Sequence, residues 1–134
     1  MEAKLKHLDY IQAAIARMAT NSFLFKGWSI TIAAGLSAFA AIDTRRALLA
    51  IAILSTGMFW GLDAYYLWLE RGFVALHVKV SAMADEDVDF SMVIDKKNAF
   101  RKWLKTTVRY HLVFFYGTII LVEVIGVVVI RKGR

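Results

Sequence analysis

The sequence predicts an all-α membrane protein: three transmembrane helices, an N-terminal amphipathic helix and a cytoplasmic extension of the second span. Three observations carry this. Of 134 residues, 59% are hydrophobic and the mean hydropathy is +0.54, whereas a soluble domain is about 45–50% apolar. The run from His111 to Ile130 has the ~20 residues that cross a hydrocarbon core, and two further apolar runs precede it. There is no proline, so helices can run unbroken and turns fall to Gly, Asp, Asn and Ser. The whole chain, 1–134, reads as a single helical membrane domain.

Residues 3–20 read as an amphipathic helix. Leu5, Leu8, Ile11, Ile15 and Met18 share one face at helical spacing, and Lys4, His7, Gln12 and Arg17 occupy the others. Two roles fit it: packing on the rest of the chain, or lying on the bilayer surface or against a partner bundle. No cleavable signal peptide is expected, because residues 1–9 carry Glu2, Lys4, Lys6, His7 and Asp9 with no short apolar core after them. The first span, about 22–42, then serves as its own insertion signal. Trp28 near its start is an interfacial anchor type. Gly27, Thr31 and Gly35 form a small-residue ridge that suits close helix approach, seating either the second helix or another subunit.

Asp43 to Arg46 reads as a tight turn. The second span covers 47–69 and is expected to continue in water to about residue 84. The stretch 70–107 is then a cytoplasmic helical loop. Within it, 85–91 is an acidic break whose Asp89 or Ser91 could cap the next helix. Residues 96–105 follow as a basic amphipathic helix, with Phe100, Trp103 and Leu104 on one side and Lys97, Arg101, Lys102 and Lys105 around the rest. That composition suits a membrane interface. Lys96, Lys97, Arg101, Lys102, Trp103 and Lys105 are the candidate residues for binding lipid or a partner. The acidic break and this basic helix could also hold each other in a resting state. The third span is 108–130.

Lysine and arginine counts set the orientation. Twelve lie on the side of the N-terminus and the 70–107 loop, against five on the other. This predicts an N-terminus in the cytoplasm and a C-terminus outside.

Charges inside the apolar runs are the candidate intramembrane site, because embedded charges are costly unless paired or hydrated. Asp63 lies roughly 10 Å and Lys26 roughly 6 Å inside their spans at about 1.5 Å per residue. On antiparallel neighbours they can meet, as a lock on helix register or as part of a polar path. Glu123 has no evident partner at its own depth. Thr44, Arg45, Arg46, Arg131 or Lys132 could reach it, or it faces other subunits as a carboxylate ring around a water-filled axis. Trp28, Trp60, Tyr65, Tyr66, Trp68 and Trp103 are read as an inner aromatic belt.

The absence of cysteine excludes disulfides and thiolate chemistry. His7, His77 and His111 make no metal-ligand spacing. No phosphate loop or nucleophile elbow is present. Neither an enzyme nor a metal or cofactor site is therefore expected. The net charge of +6 points to anionic headgroups rather than nucleic acid.

Several stretches together resemble a group of small bacterial membrane proteins: 6–12 (KHLDYIQ), 17–23 (RMATNSF), Lys26-Gly-Trp28, 59–66 (FWGLDAYY), Glu70-Arg71 and Asp89-Phe-Ser-Met92. The resemblance covers about residues 5–92. The layout is also similar to the SLATT class, in which a membrane hairpin extends into cytoplasmic helices; the third span departs from a simple two-span hairpin. The resemblance implies a membrane effector or accessory subunit of bacterial antiphage defence and nucleotide signalling, with the bacterial inner (plasma) membrane as its location. The expectation is an oligomeric inner-membrane effector that perturbs or conducts ions through the membrane. The alternative is a non-conducting anchor or accessory subunit that binds a soluble partner. The expected partners are the lipid bilayer, other copies of the chain, and a cytoplasmic protein or signalling nucleotide.

Overall fold

The computed structural model describes residues 1–43 and 46–132, and the side chains of Asp43 and Arg131 lie outside that description. Four α-helices follow in order: α1 (Glu2–Asp43), α2 (Arg46–Ser81), α3 (Ala99–Thr107) and α4 (Tyr110–Lys132), with a single 3-10 turn at Asp85–Asp87. No strand occurs among the described residues. Helices α1, α2 and α4 are each long and apolar enough to span a membrane.

Residues 3–20 and 22–42, expected as two helices, form one helix of 42 residues. No proline or glycine cluster interrupts it. At about 1.5 Å per residue it is ~63 Å long, roughly twice a hydrocarbon core of ~30 Å. Its sheltered face explains the continuity. His7, Ile11, Ala14, Met18, Ser22, Phe25, Ser29, Ala33, Leu36 and Ala40 are buried or half-buried. Their spacing of four, three, four repeats every eleven residues, close to the natural period of a straight helix. One face therefore stays turned toward α2 along the whole length.

Of the face expected from residues 3–20, Ile11 is buried and Leu8, Ile15 and Met18 are half-buried, but the sheltered side also takes in residues not expected on it. His7 and Ala14 are buried, while Leu5 is about half exposed. The ridge of Gly27, Thr31 and Gly35 points away from α2: a Cβ built on Gly27 or Gly35 meets nothing within 4 Å.

Helix α2 runs antiparallel to α1 and is the element that α1, α3 and α4 all contact. It ends at Ser81, slightly short of the expected residue 84. The turn between α1 and α2 was expected at 43–46, and its Thr44 and Arg45 lie outside the described residues. The 82–98 connection is largely non-helical. Asp89 and Ser91 do not cap a helix; Asp89 Oδ1 accepts from the Ser91 N–H at 2.9 Å within the loop. Helix α3 instead starts after Asn98, whose φ of 56° sets a left-handed entry that asparagine tolerates better than most residues.

The loop folds back on the start of α1. Lys4 Nζ donates to the Met83 carbonyl at 2.7 Å, and His7 Nε2 sits 3.1 Å from the Ser91 carbonyl. Asp85 pairs with the N-terminal amine at 2.5 Å and lies 3.8 Å from Lys4. The acidic break thus pairs with α1 and not with the basic helix. The basic helix has its own carboxylate, since Lys102 Nζ lies 3.0 Å from Asp95 Oδ2.

Candidate functional site

The charged centre forms where α1, α2 and α4 meet. Asp63 is fully buried on α2 and takes donors from both neighbours. Lys26 Nζ of α1 lies 2.5 Å from Oδ2, and the Tyr116 hydroxyl of α4 donates to the same oxygen at 3.0 Å. Ser22, one turn before Lys26, donates its hydroxyl to Oδ1, and Lys26 Nζ also reaches the Ser22 oxygen at 3.0 Å. One carboxylate thus ties three helices together. Tyr116 also belongs to a buried apolar cluster with Phe59, Ala64 and Leu112, and Trp60 stacks nearly parallel on it, 5.9 Å between centroids.

Seven residues further along each helix the pattern repeats. Ser29 follows Ser22, Thr56 precedes Asp63, and Glu123 follows Tyr116. Seven residues are about 10.5 Å of helix, so a second polar level lies about that far from the first, toward the α1–α2 turn. Glu123 is 2% exposed and accepts from the Thr56 hydroxyl at 3.1 Å through Oε1. Its Oε2 and the Ser29 hydroxyl have no hydrogen-bond partner. Glu123 borders a cleft of about 200 Å³ between α1 and α4, lined also by Ile30, Ala33, Ala34 and Ser37 of α1.

Of the partners expected for Glu123, Arg46 and Lys132 are exposed. Thr44, Arg45 and the Arg131 side chain lie outside the described residues. The partner found, Thr56, was missed, as were Ser22 and Tyr116 around Asp63. No local signal marked these three, because each is defined by a contact with a segment 41 to 67 residues away.

The basic helix α3 has three sectors. Ala99, Trp103 and Thr106 turn inward, and two reciprocal indole bonds hold that side. Trp103 Nε1 donates to the Gly61 carbonyl and Trp60 Nε1 to the Thr107 carbonyl, both at 3.0 Å. Phe100, Leu104 and Val108 form an exposed apolar stripe. Lys96, Lys97, Arg101, Lys102 and Lys105 are exposed. The residues expected as an aromatic belt differ in burial: Trp28 is exposed, whereas Trp68 is buried and Trp60 packs on the interior cluster. The Asp95 carboxyl is held below the usual carboxylate range by the Lys97 backbone N–H and then by Lys102. Asp85 is likewise lowered, chiefly by its bond to the N-terminal amine.

Among the described residues, no group of three His, Asp or Glu comes together to hold a metal. Comparison with protein-family models, curated proteins and solved structures gives no match.

Proposed function

We infer that this chain is an oligomeric effector of the bacterial inner membrane that perturbs the bilayer or conducts ions through it, in keeping with the defence role that the SLATT resemblance implies. The observation that carries this reading is Glu123. It is a buried carboxyl with one unpartnered oxygen, in the most apolar of the three spanning helices, beside a cleft between α1 and α4. Carboxyls at such depth are expensive to keep and are functional-site candidates, with ion pathways among the roles they serve. The outward ridge of Gly27, Thr31 and Gly35 supports assembly, since a single chain leaves it uncovered and small residues favour close helix contact in lipid. The excess of Lys and Arg beside the N-terminus and the 82–109 segment supports a cytoplasmic placement of that end.

Ion flux from proteoliposomes tests it, with Glu123→Gln as the variant. The expected outcome is flux in the wild type and a large loss in the variant at equal helicity and oligomer size. Equal flux in both would remove Glu123 from the pathway.

A second reading has its own support. Both Asp63 oxygens are occupied by protein donors, and the hairpin projects well past one hydrocarbon thickness. These features suit a non-conducting anchor that presents the α1–loop end to a cytoplasmic protein. Electrically silent bilayers, together with stoichiometric recovery of one soluble protein on that end, would favour it over conduction.

A further inference from the structure

Two adjoining cavities lie at the junction of α2 and α3, and neither is used by the charged centre. The first, about 200 Å³, is lined by Tyr65, Trp68, Ala99, Phe100 and Trp103. It is aromatic and apolar throughout. The second, about 230 Å³, is lined by Trp68, Arg71, Gly72, Ala75, Asp95 and Lys102. Trp68 is the shared wall. One end of the combined space is thus greasy and the other carries two cations and one carboxylate.

The cations are not equally engaged. Lys102 is paired with Asp95 at 3.0 Å. Arg71 is half-buried, and none of the ion pairs among the described residues engages it. A guanidinium at a cavity wall that is in no ion pair is suited to an anion with two acceptor oxygens, which it meets in a fork. Asp95 neutralises only one of the two positive groups, so the polar end keeps a net positive charge. The apolar end begins one helical turn away at Trp68 and opens beside the exposed stripe of Phe100 and Leu104.

We propose that this composite cavity is a binding site for one anionic phospholipid, its phosphate between Arg71 and Lys102 and an acyl chain against Tyr65, Trp68, Phe100 and Trp103. The proposal rests on the reading of the chain as membrane-embedded. It goes beyond general attraction of a basic surface to acidic headgroups, because it singles out Arg71, outside α3, over the more exposed Arg101 within α3. Charge complementarity and the sequence of polar then apolar lining select a lipid over a soluble phosphate, which has no use for the aromatic end.

The test uses the full chain in phosphatidylcholine vesicles that contain a minority of phosphatidylglycerol. Bromine on the acyl chains of one lipid or the other quenches nearby tryptophan. Brominated phosphatidylglycerol is expected to quench more, per lipid, than brominated phosphatidylcholine. Arg71→Gln should reduce that preference by about fivefold, the scale of one basic contact near a membrane surface. Arg101→Gln should change it much less. A Trp68→Phe/Trp103→Phe variant should lose the preference while Trp28 and Trp60 still report contact with lipid. Lys102→Gln offers an independent second variant, and circular dichroism confirms that each variant stays helical. Equal effects of Arg71→Gln and Arg101→Gln would overturn the site in favour of a diffuse basic surface. So would abolition of the preference by millimolar glycerol phosphate, which would show that no acyl chain is needed. Failure of the wild type to float with vesicles at all would overturn the membrane reading itself, a result distinct from floating without preference.

Discussion

Removal of the Asp63 carboxylate is the sharpest perturbation of this fold. Asp63→Ala strips three donors at once: the Lys26 ammonium, the Tyr116 hydroxyl and the Ser22 hydroxyl. Interhelical hydrogen bonds in membrane proteins average about 0.6 kcal/mol each, so three account for roughly 2 kcal/mol. The ammonium left behind adds to this. Breaking a fully buried ion pair costs about 3–5 kcal/mol, but the Lys26 side chain is 26% exposed and retains some access to polar surroundings. A total of about 3 kcal/mol follows for Asp63→Ala. Tyr116→Phe, which deletes one neutral donor, should cost about 0.6 and at most ~1.7 kcal/mol. The decisive variant is Lys26→Met with Asp63→Asn. It removes both charges and leaves an amide whose oxygen accepts from one hydroxyl while its NH2 donates to the other, so it should be less destabilised than Asp63→Ala, at about 1 kcal/mol. The assay is unfolding in mixed micelles titrated with sodium dodecyl sulfate, followed by helicity and tryptophan emission. If the double variant proves at least as unstable as Asp63→Ala, the unpaired ammonium is not the main cost and the reasoning fails.

Gly72 lies against Ile94, whose Cδ1, Cβ and Cγ2 would stand 3.0, 3.3 and 3.4 Å from an added Cβ. Gly72→Ala should therefore be close to neutral, since the gain of about 1 kcal/mol in helix propensity offsets the crowding. Gly72→Val should cost ~1–3 kcal/mol and raise hydrogen exchange across 92–96. Asp95 predicts a pH dependence. Its carboxyl is lowered on folding by the Lys97 N–H and then by Lys102, so its contribution is present at neutral pH, above the ordinary carboxylate value. It is lost as pH falls through the lowered one. Exchange protection at the start of α3 should thus decline below about pH 4, and in Asp95→Asn it should be low and flat with pH. The Glu123→Gln flux measurement remains the test of the proposed activity.

How much of this was legible before the tertiary structure depends on the kind of signal. Lys26 and Asp63 could be placed at matching depth because two antiparallel helices joined by a tight turn fix depth by counting residues. Tyr116 could not, since its hydroxyl is unremarkable in an aromatic-rich run until α4 is set against α2. Glu123 was visible as a charge in an apolar run, but its partner Thr56 lies 67 residues away and no local pattern connects them. The sheltered face of α1 was legible only in part, for a related reason. Counting large apolar residues found Ile11, Leu8, Ile15 and Met18, which are buried or half-buried, but also took in the exposed Leu5 and passed over the buried small and polar side chains Ala14, Ser22, Ser29 and Ala33. Where the bilayer serves as solvent, large apolar residues can face lipid, so hydrophobicity ceases to mark the packed side.

Local chemistry alone therefore determined that three long apolar helices form, where the charges interrupt them, and that α3 is basic and amphipathic. These follow from backbone hydrogen bonding, composition and period, which neighbours in sequence settle among themselves. Only the tertiary structure decided that 2–43 is one rod, which α1 face is sheltered, that the acidic break returns to α1, and that Arg71 and Trp68 share a cavity wall with α3. The last three are contacts between distant segments, and the first is a helix kept continuous by its packing on α2; all are set by how surfaces fit, and a chain read one window at a time holds no record of them.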